Sequence, residues 1–307
     1  MLLREIVKSK AQFFAVAAVI FCGITVFTAT YMAGKNLENS VLSYYEKNSF
    51  LDYYAEANSI TPQAINEIKE ISGVVEANGR ISQNVGADMG GNKRITLKMI
   101  SLPGDNSSYI NQITVFEGKN LDVSDKEGCL LSKKFADFHN LGIGEEINTI
   151  INKKIVKFRI VGIAGSPEFL YTIKSESSAV PSYEDYGIIY INESTAKSLL
   201  GYGEAFNQVH VLFEDGANKD DVIEEIEKTL LPYGFIRGIE REDQISNMMA
   251  MDDISMLQDA SFIFPILFLS VAAMIIYVLQ RRIITRQRTL IGVMKAFGYT
   301  NARILIH

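Results

Sequence analysis

Two apolar runs decide the fold of this chain: FFAVAAVIFCGITVFTATYMA at residues 13–33 and ASFIFPILFLSVAAMIIYVL at residues 260–279. Neither run contains Asp, Glu, Lys, Arg or His. A helix rises about 1.5 Å per residue, so a run of about 20 residues covers the ~30 Å hydrocarbon core of a bilayer. Because a core helix of a soluble protein needs only one apolar face, these runs predict two transmembrane helices.

A cleaved signal peptide is the main alternative for the first run, which follows Arg4, Lys8 and Lys10. The run is longer than the apolar region of a signal peptide, which has about 7–15 residues. The end of the run, Tyr31-Met32-Ala33-Gly34, also places a bulky tyrosine where a cleavage site requires a small residue. We therefore expect an uncleaved membrane anchor.

Charge sets the expected orientation, because basic residues beside a span tend to remain in the cytoplasm. Residues 1–10 hold three basic residues and one acidic residue, and residues 280–307 hold six basic residues and no acidic one. Of the 30 basic and 36 acidic residues in the chain, 21 and 35 therefore lie between the runs, a net charge of −14. The sequence predicts a cytoplasmic N-terminus at 1–12, an acidic extracytoplasmic domain at 34–259 and a cytoplasmic segment at 280–307.

The external segment offers no constellation of catalytic or metal-binding residues. Its acidity argues against binding nucleic acid, whose phosphates require basic partners. Its one cysteine is Cys129, so stability has to come from packing rather than from an internal disulfide. Because His139, His210 and His307 are scattered and no His or Cys pair has metal-ligand spacing, we predict no metal, no cofactor and no enzymatic activity.

Helical stalks are predicted to connect the external segment to both spans, at 36–46 and 241–259. Leu37, Val41 and Tyr45 have helical spacing in the first, and the second contains few turn signals. Aromatic residues concentrate at the first stalk and the strand after it: Tyr44, Tyr45, Phe50, Tyr53 and Tyr54. We expect them to pack in the core and against the stalk, with a substrate platform as the alternative.

Short strands and helices alternate along the external segment, which predicts an α+β domain of two small subdomains. Thr61-Pro62 is typical of a helix start, and Asn152-Lys153 between two strand-like runs predicts a β-hairpin. The loop at 166–183 is expected to join the subdomains, the second being a small α/β or split βαβ sheet. The predicted strands are 52–57, 74–81, 94–101, 146–151, 154–161, 186–191, 207–213 and 234–239, and the predicted helices are 61–71, 132–139, 194–200 and 218–230.

The tail, residues 281–307, combines an apolar stripe with a basic helix. Apolar side chains recur at i, i+3, i+4 and i+7: Leu290, Val293, Met294 and Phe297. Gly298 suits a C-terminal cap, and a further helix is expected to begin at Ala302, capped by Thr300 or Asn301. The stripe suits a groove on a protein partner, and the alternative is a basic helix lying on anionic lipid headgroups.

Residues 288–301, RTLIGVMKAFGYTN, resemble the segment that follows the second membrane helix of FtsX-like ABC transporter permeases. Pieces of the external segment are similar to the MacB-like periplasmic core domain of such permeases: the helix and strand at 61–80, CLLSKKFA at 129–136, LGIGE at 141–145 and VGIAGSPEFLY at 161–171. These pieces occur in the family's order, and the resemblance covers nearly the whole chain.

The resemblance implies the permease subunit of an ABC transporter, a multi-pass protein of a bacterial inner (plasma) membrane with both termini of this chain in the cytoplasm. ATP would be used by a separate ATPase subunit, and the permease would work as a dimer in contact with membrane lipid. Such families export or extract amphipathic molecules, lipoproteins or peptides. The alternatives are a transmembrane signal transmitter that regulates an extracytoplasmic enzyme such as a cell-wall hydrolase, and a two-span receptor.

The resemblance also implies where the ATPase makes contact, at Arg288, Leu290, Ile291, Val293, Met294, Lys295, Phe297, Gly298, Tyr299 and Asn301. Leu290 stands where the family often has a polar or acidic residue, so the polar part of the contact differs here. Family members have at least two more membrane helices after this point. We therefore expect the sequence to be the amino-terminal portion of a longer permease.

Overall fold

The computed structural model describes residues 10–90, 94–104, 110–174 and 181–300. The chain forms two compact units, Ser40–Met251 and the pair of segments Met1–Asn39 with Asp252–His307. The predicted N-terminal residues 1–9 and the predicted helix from Ala302 lie outside the described residues.

The first and last helices carry the two apolar runs. Helix α1 is Lys10–Lys47 and helix α6 is Ile245–Ala296, and each contains a stretch long and apolar enough to cross a membrane. Large apolar side chains of these stretches are exposed, as with Phe14 at 69% and Ile266 at 65%. A core helix of a soluble protein would bury such side chains. The structure thus has the two candidate membrane-spanning helices that the sequence predicted.

Within their own unit, α1 and α6 approach closely at small residues. A Cβ placed on Gly23 would lie 3.1 Å from Cβ of Phe268. The rings of Phe27 and Phe262 meet edge to face with centroids 5.9 Å apart. Small side chains allow this close packing of helix backbones, which is how helices associate in a membrane without a hydrophobic driving force.

The α+β unit contains the remaining regular elements. Its described strands are β1 (Tyr53–Ile60), β2 (Val74–Arg80), β3 (Ser82–Asp88), β4 (Arg94–Leu102), β5 (Thr114–Gly118), β6 (Gly128–Ser132), β7 (Glu146–Ile151), β8 (Lys154–Gly165), β9 (Tyr186–Asn192), β10 (Phe206–Phe213) and β11 (Phe235–Glu240). Its described helices are α2 (Pro62–Lys69), α3 (Lys133–His139), α4 (Glu193–Leu200) and α5 (Lys219–Leu230), with 3₁₀ turns at Pro167–Phe169 and Leu231–Tyr233.

Four strands form an antiparallel sheet in the order β11-β1-β10-β2. The units β1-α2-β2 and β10-α5-β11 make this a split βαβ arrangement, in which each helix connects two strands that are not neighbours. A split βαβ sheet was expected from the later half of the domain alone. The structure instead takes two of its strands, β1 and β2, from the start of the domain.

The other seven strands are inserted between β2 and β10 and form a second, mixed sheet in the order β5-β8-β6-β9-β4-β3-β7. Strand β7 pairs with β8 as well as with β3, so six of the strands close into a ring and β5 is added at β8. All residues of β6 and β9 are buried. Strands that are apolar on both faces suit such interior positions.

The predicted division of the domain at 166–183 is wrong. Strand β9 follows this loop but lies between β6 and β4, in the middle of the seven-stranded sheet. The division in space falls instead where the chain leaves β2 and where it returns at β10. Strand order depends on pairings between distant segments, and alternation along the sequence carries little information about them.

Several local signals are confirmed. The Thr61 hydroxyl accepts a hydrogen bond from the Ala64 amide at 3.2 Å, as expected for a helix cap. Asn152 and Lys153 both have positive φ, 49° and 65°, and they connect the antiparallel pair β7 and β8. That backbone twist matches the twist of the hairpin strands. Ser132 also precedes α3, but its hydroxyl accepts from the Ile188 amide at 3.1 Å rather than capping the helix.

The two sheets share one hydrophobic core. A single cluster of buried side chains joins Tyr53 and Val209 of the four-stranded sheet to Leu97, Ile147 and Phe158 of the seven-stranded sheet. Strands β3, β5 and β6, which the sequence did not predict, belong to the seven-stranded sheet. The chain therefore contains an α+β domain of two sheets, preceded and followed along the sequence by a candidate membrane-spanning helix, as predicted.

Candidate functional site

The predicted partner-binding segment is the C-terminal end of α6. This helix continues without interruption from the apolar run to Ala296, with Pro265 inside it. Leu290 is 46% exposed, Val293 48% and Phe297 79%, so the predicted apolar stripe lies open on the helix surface. Five cations of the same stretch are exposed as well: Arg281, Arg282, Arg286, Arg288 and Lys295.

The helix ends in a Schellman motif. The Gly298 amide donates to the Lys295 carbonyl at 3.0 Å and the Tyr299 amide donates to the Met294 carbonyl at 3.1 Å. Gly298 has φ of 83°, the left-handed conformation that this cap requires and glycine adopts readily. Of the predicted contact residues, those from Arg288 to Lys295 thus lie on α6 and Phe297, Gly298 and Tyr299 form its cap. Asn301 lies outside the described residues.

The α+β unit contains an apolar groove of about 580 Å³. Val41 and Tyr44 at the end of α1 form one side, and Phe116, Phe169 and Leu170 line it as well. Lys133 and Lys134, the first residues of α3, are also part of the lining. A groove of this size and character can take an apolar chain or a large apolar side chain.

A buried ion pair connects the two sheets. Arg80, at the end of β2, binds Glu168 of the first 3₁₀ turn through both guanidinium nitrogens, with Nη2 2.8 Å from Oε2. The two side chains are only 4% and 7% exposed. Nη2 also donates to Oε1 of Gln208 on β10 at 3.1 Å. Bidentate pairing of this kind fixes the orientation of both partners, so it joins the end of β2 to the turn that follows β8.

The polar network extends from this pair along the four-stranded sheet. Gln208 donates to Oε1 of Glu56 at 2.8 Å, and Nε of Arg237 donates to the other oxygen of Glu56 at 2.9 Å. Lys98 of β4 lies close to the network, and burial, followed by the charge of Arg80, lowers its pKa. Three cations, Arg80, Lys98 and Arg237, thus face the carboxylates of Glu56 and Glu168, and the network is only partly shielded from water.

His210 is fully buried on β10 and lies near two cations of this network. Its Nδ1 lies 3.4 Å from Nδ2 of Asn111. Burial, and then the charges of Arg80 and Lys98, lower the pKa of His210 well below its ordinary value of 6.5. The imidazole is therefore neutral in the folded protein at neutral pH, whereas in the unfolded chain it takes up a proton near pH 6.5.

This difference makes stability depend on pH. Below pH 6.5 the unfolded chain binds a proton that the folded domain does not, so acidification lowers the free energy of unfolding by up to about 1.4 kcal/mol per pH unit. We expect His210→Gln to remove that part of the slope. Pulse proteolysis in urea, carried out on the full chain in detergent at pH 7.5, 6.5 and 5.5, measures how the free energy of unfolding depends on pH. His139→Gln, at a partly exposed histidine, is the control, and an unchanged slope in the His210 variant would contradict the assignment.

His139 and Cys129 have local structural contacts. His139 lies with Nε2 3.0 Å from the Glu184 carbonyl, and its ring packs on Phe135. Cys129 is buried, which raises the pKa of its thiol to about 12. Among the described residues, no group of three His, Cys, Asp or Glu side chains has the arrangement of a metal site.

The aromatic residues near the first stalk are packing residues. Tyr45 contacts Phe50 with ring centroids 4.3 Å apart, and both are nearly fully buried. The guanidinium of Arg241 lies 5.2 Å from the Phe50 ring and donates to the Leu51 carbonyl at 2.8 Å. Tyr53 belongs to the main core, where its hydroxyl lies 3.1 Å from Oε1 of Glu227. Core and stalk packing is therefore seen for Tyr45, Phe50 and Tyr53, whereas Tyr44 lines the apolar groove and Tyr54 lines a smaller cavity.

The sequence did not reveal the buried network. Arg80 and Glu168 are 88 positions apart, and neither carries a local pattern that distinguishes it from a surface charge. The one available signal was the Gly165-Ser166-Pro167-Glu168 segment, which places a carboxylate directly after a proline at the end of an apolar strand.

Comparison with known proteins identifies both parts of the chain. The model of the MacB-like periplasmic core domain matches residues 13–229, and the model of the FtsX-like permease C-terminal segment matches residues 262–307. A search of curated proteins gives no significant match.

Two solved structures are similar at low sequence identity. The extracellular domain of the ABC-type transporter YknZ from Gram-positive bacteria is 15% identical with a TM-score of 0.40, covering 60% of this chain and 97% of that one. The periplasmic region of MacB from Actinobacillus actinomycetemcomitans is 13% identical with a TM-score of 0.42, covering 70% of this chain and 97% of that one. On the family matches, the chain belongs to the ABC-type transporter permeases that combine a MacB-like periplasmic core domain with an FtsX-like permease segment.

Proposed function

We propose that this chain couples ATP hydrolysis by a separate ATPase subunit to movement of its α+β domain. The observation that carries the proposal is the continuity of α6, whose 52 residues span about 78 Å at ~1.5 Å per residue. One helix thus contains the stalk residues 245–259, the apolar run and the exposed stripe. A force applied at the stripe can act along the backbone of this one helix, in which Pro265 removes a single hydrogen bond.

The stripe is the proposed contact with the ATPase. Leu290, Met294 and Phe297 lie on one face of α6, and an amphipathic helix of this kind fits an apolar groove on a partner. The sequence contains no phosphate-loop motif, so the nucleotide site is assigned to the partner. The Schellman cap fixes Phe297 and Tyr299 at the end of the helix, which limits the entropy lost on binding.

The proposed topology places both ends of this chain in the cytoplasm of a bacterium and the acidic domain outside the inner membrane, in a multi-pass protein. The exposed cations of α6 support it, because basic residues next to a span remain on the cytoplasmic side and can also bind anionic lipid. Two permease copies would act together. The apolar groove of the α+β unit supports an amphipathic cargo, such as a lipoprotein or a peptide, exported or extracted from the membrane.

Co-purification tests the proposal. The full chain carries an affinity tag and is expressed with the ABC ATPase encoded in the same operon, then extracted in mild detergent. We expect the ATPase to elute with the chain at a fixed ratio that survives 0.5 M salt, because an apolar contact is little affected by screening. Absence of the ATPase from the eluate, while an unrelated permease retains its own ATPase in the same detergent, would overturn the proposal.

A further inference from the structure

A second cavity, of about 110 Å³, lies in the α+β unit beside the first turn of α6. Its walls include Arg80, Lys98, Gln208 and Gln244, together with the first helical residues Ile245 and Ser246. A space of this size holds several water molecules or one small ion. The buried network described above forms one of its sides.

The network contains more positive than negative side chains: Arg80, Lys98 and Arg237 against Glu56 and Glu168. Glu168 neutralises Arg80, and Glu56 pairs with Arg237. Lys98 is the third cation: among the described residues its ammonium makes neither a hydrogen bond nor an ion pair, and its Nζ lies 5.7 Å from the centroid of the Phe169 ring. The carboxylates of Glu168 and Glu56, each already paired with an arginine, attract it from a longer distance. A partly buried positive charge with no ion-pair partner of its own is unfavourable and calls for a counter-ion.

An acidic side chain also lines the cavity, but it does not serve as that counter-ion. Asp243 precedes α6 and is exposed to solvent, where water screens its charge. No ion pair joins it to Lys98 in the described part of the chain.

The start of α6 adds donors on the same side. The first bond within the helix runs from the Met248 amide to the Gln244 carbonyl at 2.8 Å. The amides of Ile245, Ser246 and Asn247 therefore have no partner within the helix. The helix dipole adds about half a positive charge at this end, which favours an anion there.

Gln244 gives an independent indication of a missing acceptor. This side chain lines the cavity and is only 8% exposed, yet its Nε2 has no hydrogen-bond partner among the described residues. Buried amide donors in folded proteins nearly always find an acceptor. An amide donor, an ammonium and a helix N-terminus thus surround one small space.

The geometry points to a binding site for a small oxyanion, a carboxylate or a phosphate, between Lys98, Gln244 and the first turn of α6. An oxyanion presents several acceptor oxygens at once, so it can pair with the ammonium and accept from the amide donors together. Residues 34–259 have a net charge of −14, so a positively charged cavity is a local exception in this domain. The site is independent of the ATPase contact proposed above, since it lies wholly within the α+β unit.

Isothermal titration of the full chain in detergent with sodium phosphate and with sodium acetate, at constant ionic strength adjusted with chloride, tests the site. We expect saturable binding of at least one of these anions, and a loss of affinity of about tenfold or more in Lys98→Met. Lys157→Met is the matched control, since Lys157 is 64% exposed and paired with Glu146, and it should bind as the unmodified chain does. Circular dichroism verifies that each variant is folded.

The two titrations identify the class of anion. Binding of phosphate but not acetate would indicate a phosphate compound as the ligand, and binding of acetate but not phosphate would indicate a carboxylate. If Lys98→Met does not fold, Lys98→Arg, which keeps the charge, should retain binding while Gln244→Leu weakens it. Absence of saturable binding of both anions, an equal response to added chloride, or full binding by the folded Lys98→Met variant would overturn the inference.

Discussion

Replacing Glu168 by glutamine is expected to lower the free energy of unfolding of the α+β domain by about 3–5 kcal/mol, the cost of leaving a buried charge without its partner. Arg80 would keep its charge with its side chain only 4% exposed. Gln208 accepts from the same guanidinium but carries no charge, so it cannot replace the carboxylate. Urea-pulse proteolysis of the full chain in detergent measures the change without requiring tryptophan, which the sequence lacks.

The control for this prediction is Glu146→Gln, which removes a carboxylate from a pair that is 59% exposed on its acidic side. Exposed ion pairs contribute little to the free energy of unfolding, so Glu146→Gln should change it by no more than about 0.5 kcal/mol. The double variant Arg80→Met, Glu168→Leu should recover much of the lost stability, because two apolar side chains require no charge compensation. A loss below about 1 kcal/mol for Glu168→Gln would show that the pair does not hold the two sheets together.

The second large effect is expected at the stripe of α6. Changing Leu290, Met294 and Phe297 together to alanine should weaken binding of the ATPase by at least about 100-fold, since a loss of more than about 1 kcal/mol at each of three interface anchors multiplies to that factor. Stability of the permease itself should not change, because Leu290 and Phe297 are exposed in the free chain. Biolayer interferometry of the purified subunits in detergent gives the dissociation constant.

The matched control for the stripe is Ile284→Ala, an apolar truncation at a residue 61% exposed on the same helix. At 100° per residue it lies about 120° around the helix from Leu290, away from the stripe. Its dissociation constant should stay within about twofold of the unmodified chain. Equal weakening in this control and in the triple variant would mean that apolar surface, rather than the stripe, determines binding.

Much of the architecture was predictable because it is encoded locally. Ionisable residues are absent from 13–33 and 260–279, which predicts the membrane helices from composition alone. Thr61-Pro62, Asn152-Lys153 and Gly298 each predict one backbone conformation, and the structure has all of them. The sequence therefore predicts where elements begin and end within one to three residues at most positions.

The arrangement of the strands was not predictable in the same way. Strand β9 was expected to open a separate subdomain after the loop at 166–183, yet it lies between β6 and β4. Its seven residues are all buried, a property that indicates an interior strand but not which strands it pairs with. The exposed apolar stripe of α6 was predictable because i, i+3, i+4 spacing is local, whereas Arg80 and Glu168 meet only through the fold.

The most direct test of the proposed coupling is site-specific photo-crosslinking in native membranes. A photo-reactive phenylalanine analogue in place of Phe297 is irradiated with the partner ATPase present, and adducts are identified by mass spectrometry. We predict a covalent adduct with the ATPase at position 297 and at 290, and none when the same analogue replaces Ile284. No ATPase adduct at 297 or 290, in membranes where the two proteins co-purify, would contradict the stripe of α6 as the point at which force enters this chain.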